Sequence, residues 1–234
     1  MLFKANTPSF LSILFLAAST TGYIPADPTG FAPPPDPAQA PGDGSGPFDV
    51  QSCSLKDRFE TLPTLTVGVG AMHLKGWDNA ADTMSHYLDA TGTEWDPKVP
   101  SLLQQVPALD SKIKDYVNLQ ISGLGNEPAK SFDSGWQVWH AWNDATNEPY
   151  SWDWYYALGE FSYAVEGAVE KRNGKVTAEY QVYVFDRYNW DNSGKTNSFA
   201  GGLIKLSHSD IGRLHKCGLA REYTVRGNSG VLTL

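Results

Sequence analysis

The sequence predicts an α+β fold, with helices first and an antiparallel sheet after them. Three observations carry this. Between residues 78 and 117, apolar residues recur at helical spacing. On either side of Asn173-Gly174 they alternate instead, as in strands. The only two cysteines, Cys53 and Cys217, bracket that whole region. The expected architecture is N-terminal helices packed on an antiparallel β-sheet or partly open barrel, with a central hairpin over 160–187.

The N-terminus reads as a targeting segment. Lys4 precedes the apolar run Phe10 to Ala18, and small residues Ala17 and Ser19 suit a cut after Ser19. Residues 1–19 are therefore expected to be a secretory signal peptide. Residues 20–47 hold eight of the chain's fifteen prolines. Such a composition buries too little apolar surface to offset the entropy of ordering it. A proline-rich disordered linker is expected there, followed by a single α+β domain over 48–234.

In an exported protein, two cysteines placed in this way suggest one disulfide, Cys53–Cys217. The alternative is two unrelated buried thiols. Asp78 opens a helix whose face is Ala80, Ala81, Met84, Tyr87 and Leu88, and Gly92 is placed to end it. Ser101 is a candidate cap for a short turn over Leu102–Val106. Pro107 stops that turn and can start the next helix, with Leu109, Ile113, Tyr116 and Val117 as its apolar stripe. His73 and His86 lack a third ligand nearby and read as surface or capping residues.

Five tryptophans (Trp136, Trp139, Trp142, Trp152, Trp154) crowd the next segment with Tyr150, Tyr155 and Tyr156. An aromatic core and a ligand-stacking platform both fit this density. Asn173-Gly174 is a two-residue turn matched to strand twist. It pairs Val165 with Val182 and Tyr163 with Val184. It also sets Gly167 opposite Tyr180 and Glu160 opposite Arg187. Asp186 then falls directly after the strand, at the rim of the sheet. The rim, Asp186 to Lys195, is the densest polar and aromatic cluster in the chain. Beyond it, Ser209 is a candidate cap for a helix over Asp210–Cys217, and Gly218 a candidate end. His215 with Arg213, Lys216 and Arg221 forms a local basic group, which reads as an anion site or as a solvated helix face.

Composition narrows the function. Net charge is −8, with 18 Lys+Arg against 26 Asp+Glu. No basic surplus is available for a duplex nucleic acid, so nucleic-acid partners are not expected. No apolar run is long enough for a spanning helix, so an integral membrane protein is not expected after processing.

The stretch Asp186-x-Tyr188-Asn189 after a strand resembles the start of the catalytic motif of the colicin M family. The family motif is Asp-x-Tyr-Asp with His-Arg five residues on. Asp186 and Tyr188 match, Asn189 replaces the second Asp, and Lys195-Thr196 stand in place of His-Arg. The resemblance implies an exported toxin that cleaves the lipid II precursor, with a magnesium requirement. His208 or His215 can replace the absent histidine only if the fold brings the tail helix to the rim.

These readings converge on an exported toxin-like effector acting on the cell envelope, secreted, periplasmic or at the cell surface. Its expected partner is an envelope component or another secreted protein. As a phosphoester hydrolase it would use Asp186, Tyr188 and His215 for catalysis and Arg187 and Arg221 for phosphate. No cofactor is required by the pattern, although Asp186 and Asp191 are candidate ligands for a divalent metal. The alternative is a non-catalytic envelope or glycan-binding module using Trp139 and Trp142.

Overall fold

The computed structural model describes residues 31–191, 193–199 and 204–234. The signal segment 1–19, the first part of the linker and Asn192 lie outside the described residues.

Ser54 and Asp57 start the helical layer with reciprocal bonds. Ser54 N–H donates to Asp57 Oδ2 at 2.7 Å, and Asp57 N–H to Ser54 Oγ at 3.1 Å. A π-helical turn, Asp57–Thr61, then runs straight into α1 (Leu62–Leu74). The next helix, α2 (Asp78–Leu88), opens at Asp78 as predicted and buries Ala80, Ala81, Met84 and Tyr87 of the predicted face, with Leu88 half-buried. Its first turn is capped from a distance: Asp153 accepts from Ala80 N–H at 2.8 Å and from the Asn79 side chain at 2.7 Å. The helix ends at Leu88, earlier than Gly92 suggested, and the chain then turns through Ala90 (φ 56°) and Gly92 (φ 66°), both left-handed. Gly92 leaves room for the Arg221 side chain. The short helix α3 (Val99–Gln105) starts before Ser101, from Lys98 in the left-handed region. Then α4 (Pro107–Ser122) begins at its proline and buries Leu109, Ile113 and Val117.

A five-stranded antiparallel sheet follows, and it is open, not closed into a barrel. On one edge, β1 (Ala129–Asp133) and β2 (Gln137–His140) lie end to end along β5 (Glu160–Arg172). The sheet continues through β6 (Lys175–Tyr188) to β9 (Tyr223–Thr233). Between β2 and β5 come a two-residue ladder, β3 (Trp142–Asn143) with β4 (Glu148–Pro149), and a short helix α5 (Trp152–Ala157). A second ladder, β7 (Thr196–Phe199) with β8 (Ile204–Ser207), leads into α6 (His208–Lys216). Ser207, not Ser209, caps α6 by accepting from Asp210 N–H at 3.1 Å, so the helix starts at His208.

The central hairpin has the predicted turn and register: Asn173 and Gly174 take positive φ, and Val165–Val182 and Tyr163–Val184 pair. Gly167 stands opposite Tyr180 as predicted, and Phe132 of β1, its partner across the other ladder, covers it; a Cβ there would lie 2.6 Å from Glu179 O and closer still to the Phe132 ring. One detail differs. Glu160 pairs with His140 of β2, at 2.5 Å between side chains, and not with Arg187.

Strand alternation gives the sheet two different coats. Tyr180, Val182, Val184 and Tyr188 join the helices in the main core. Gln181, Tyr183 and Phe185 face the other way, and residues 31–37 lie over them. Phe31 N–H donates to Gln181 Oε1 at 3.1 Å, the Tyr183 hydroxyl donates to Phe31 O, and Trp136 Nε1 donates to Pro35 O at 2.7 Å. The described part of the proline-rich segment thus runs extended along the domain without helix or strand. Cys53 and Cys217 form a disulfide.

Candidate active site

Asp186 and Arg187 lie within β6, because β9 continues to pair there: Asp186 with Val225, Arg187 with Thr224 and Tyr188 with Tyr223. The expected position just past the strand is corrected by these pairs. Asp186 is therefore carried on backbone held from both sides. It opens into a cleft of about 1030 Å³ at this end of the sheet. The extended segment supplies one wall through Pro37, Ala38 and Asp43, and α5 supplies another through Trp152, Tyr155 and Tyr156. Lys195 and His208 close the third side.

Removal from water pushes the Asp186 carboxyl up to about 7. Asp43 and Glu160 push it the same way, while the Arg187 N–H and guanidinium oppose. A carboxyl poised near neutrality can take or give a proton.

His208 stands at the first position of α6. Its Nδ1 lies 2.9 Å from Asp191 Oδ1, and its ring meets Trp190 edge-on at 5.2 Å. Asp191 is held below the usual carboxylate range by the Ser193 hydroxyl first, with the Ser193 N–H and His208 adding to this against partial burial. A carboxylate on one ring nitrogen sets the tautomer and orientation of a histidine. The Arg187 guanidinium packs over the Phe185 ring at 4.8 Å and donates to Pro37 O at 2.7 Å.

Aromatic rings form the remaining wall. Trp142 meets Tyr155 at 5.6 Å and Trp152 at 6.3 Å, and Trp152 is 40% exposed. Trp139 and Trp154 of the same segment are buried in the core.

Of the residues singled out in the sequence, Asp186, Arg187 and Trp142 line the cleft. Tyr188 also borders the cleft but is buried, and its hydroxyl lies 4.0 Å from Met84 Sδ, inside the core. Trp139 is buried against Tyr150, with the Lys112 ammonium 5.7 Å from its ring centre. His215 lies outside the cleft, and both its nitrogens hold the fold together. Nδ1 accepts from Glu222 N–H at 3.0 Å, so Nε2 donates to Gly46 O at 2.9 Å. Arg221 stacks over Phe48 at 4.6 Å and donates to Thr91 O at 3.2 Å, also outside the cleft. The basic group around His215 is thus divided among separate contacts.

His208 lines the cleft, where the sequence reading placed His215. Its signal was its place immediately before a helix near the rim. No spacing rule marks a carboxylate partner on the far side of a ladder. Among the described residues, no group of three or more His, Cys, Asp or Glu side chains converges on a metal position. Asp191 is turned onto His208 and Ser193.

No protein-family model matches the sequence. No curated protein matches it. Two solved structures are similar in part. One is the truncated bacteriocin syringacin M from Pseudomonas syringae pv. tomato DC3000, at 11% identity and TM-score 0.32, covering 67% of this chain and 58% of that one. The other is PaeM, a colicin M-like bacteriocin produced by Pseudomonas aeruginosa, at 16% identity and TM-score 0.36, covering 67% and 49%. This chain spans less than two thirds of either structure.

Proposed function

We propose that the chain is an exported toxin-like effector that acts on the cell envelope by hydrolysing a phosphoester in this cleft. One observation carries the reading: Asp186, with its carboxyl near neutrality, and His208, oriented by Asp191, line the same cleft. The disulfide fits an oxidising compartment.

In this mechanism Asp186 takes a proton from water as the water oxygen bonds to phosphorus. The phosphorus–oxygen ester bond breaks, and protonated His208 gives its proton to the departing oxygen. Arg187 and Lys195 offset the phosphate charge. Trp142, Trp152 and Tyr155 hold an apolar or sugar portion of the substrate.

A second reading keeps the same aromatic wall without chemistry. The exposure of Trp152 beside Trp142 also fits a glycan-binding module. Incubation with lipid II separates the two. A hydrolase releases the headgroup, and Asp186→Asn with His208→Ala abolishes release. A binding module retains intact lipid II and releases nothing.

A further inference from the structure

Beyond the sheet, the proline-rich segment continues into the cleft. Pro37, Ala38 and Ala40 line it, and so do Asp43 and, from the rim, Asn189. The two polar residues touch, since Asn189 Nδ2 donates to Asp43 Oδ1 at 2.7 Å. One carboxylate oxygen brings their two chain segments together. Glu222 Oε1 accepts from Ser45 N–H at 2.9 Å, from the Ser45 hydroxyl at 2.6 Å and from Trp190 N–H at 3.0 Å. Gly44 permits this approach, because a Cβ there would lie 2.9 Å from Glu222 Oε2. Asp43 thus stands beside a buried anchor, Ser45, and is held across the gap by Asn189. Its place in the cleft is set before any ligand arrives.

The Asp43 carboxylate has an acceptor to spare. Oδ1 takes the bond from Asn189, and among the described residues Oδ2 has no hydrogen-bond partner. The residue is half-buried, and it lies near enough to Asp186 for its charge to raise that carboxyl. A carboxylate oxygen accepts hydrogen bonds and donates none. It repels a phosphate, so it does not belong to the phosphate's own seat. A hydroxyl is the group it suits. The α5 wall of the same cleft supplies the other half of the recognition, through the rings of Trp152 and Tyr155 with Trp142 against them. Aromatic rings stack on the C–H face of a sugar, and a carboxylate fixed nearby accepts from its hydroxyls.

We propose that Asp43 is a specificity-determining residue of the cleft, whose Oδ2 accepts a hydrogen bond from a sugar hydroxyl beside the phosphoester while Trp142 and Trp152 hold the sugar ring. In this it rests on the hydrolase reading, which places the phosphate beside Asp186 and Arg187. The segment whose composition reads as a linker then takes part in substrate recognition.

Asp43→Asn tests this. The amide oxygen can keep the bond from Asn189, which puts an NH2 in the place of Oδ2, so an acceptor becomes a donor at unchanged shape. Two measurements use the full chain. The first is retention of intact lipid II, whose phosphate carries a sugar, by Asp186→Asn and by Asp186→Asn/Asp43→Asn. The second chain is expected to bind about tenfold more weakly, with the melting temperatures in agreement. The other is hydrolysis of lipid II and of bis(p-nitrophenyl) phosphate, a diester without sugar. Asp43→Asn should lower kcat/KM on lipid II at least about tenfold more than on the diester. Equal losses on both substrates overturn the proposal, because removal of a charge beside Asp186 is then enough to explain them. Equal retention overturns it, and so does failure of the Asp186→Asn chain to retain lipid II. If the unaltered chain releases nothing from either ester, the hydrolase reading fails, and retention still decides the role of Asp43. Should the asparagine variant misfold, Asp43→Ala carries the same expectations.

Discussion

His208 Nδ1 lies 2.9 Å from Asp191 Oδ1, and the two residues are joined by the β7–β8 ladder. The ladder returns the chain to its own start, so a rim carboxylate and a helix-first histidine meet. The contact should matter to activity more than to stability, since the pair is half-exposed and exposed ion pairs contribute little. Asp191→Asn is expected to lower lipid II hydrolysis about tenfold or more with the melting temperature nearly unchanged. His208→Ala should lower it about 100-fold. Full activity in both variants removes His208 from the mechanism.

Asp186→Asn separates function from stability in opposite directions. The folded carboxyl titrates near 7, above its unfolded value of 3.8. The folded state therefore holds a proton that the unfolded chain has lost, and stability falls as pH rises from about 4 to about 7. The asparagine variant escapes that loss. It is expected to be more stable than the unaltered chain at pH 8, by about 1–2 kcal/mol, and equal to it near pH 4. Hydrolysis should fall about 100-fold. Melting curves across this pH range, with product release at neutral pH, check both halves.

Asp57 has the opposite sign. Burial raises its carboxyl, but the hydrogen bonds from Arg213 and Ser54 and the charge of Arg213 outweigh this and hold it at about 2. Its stabilisation is present above pH 4 and is lost as pH falls from about 4 towards 2. Asp57→Asn should cost about 2 kcal/mol at pH 7, and the difference should shrink through that acid window. A gap that stays constant down to pH 2 contradicts the assignment.

Gly167→Ala tests the sheet. The added carbon meets Glu179 O and the Phe132 ring, and Glu179 O belongs to the backbone of β6. Destabilisation of about 2 kcal/mol is expected from the forced shift. Phe132→Ala in the same chain should recover part of it, because the ring gives way where the backbone does not. Chemical unfolding of the single and double variants measures the coupling.

Unfolded, unreduced protein should show no reactive thiol, since Cys53 and Cys217 are bonded. The bond closes a loop with a sequence separation of 164. Replacing both cysteines by serine should cost up to about 4–5 kcal/mol by the loop-entropy relation.

The local pieces of this protein were legible in its sequence because local forces decide them. Asn173-Gly174 can take two positive φ values in succession, and that sets the whole β5–β6 register. The apolar spacing of 78–88 and the proline at 107 set α2 and α4 for the same kind of reason. The cysteine count made Cys53–Cys217 the single available pairing. The same hairpin carries Asp186 and Arg187, on its second strand.

Tertiary structure decided which of two similar groups has chemistry available to it. His208 and His215 lie on one short helix, about two turns apart. Position in the sequence does not tell them apart. His215 points inward, where Gly46 O and Glu222 N–H occupy its nitrogens; His208 is at the cleft, where Asp191 meets it. Trp139 and Trp142 divide in the same way, one under Lys112 in the core and one on the cleft wall. The physical reason is that residue type and spacing are local, while burial and partner choice depend on which distant segments fill the space around a side chain. For His215 and for the walls of the cleft, much of that space is filled by the extended proline-rich segment, whose contacts reach residues more than 100 positions away.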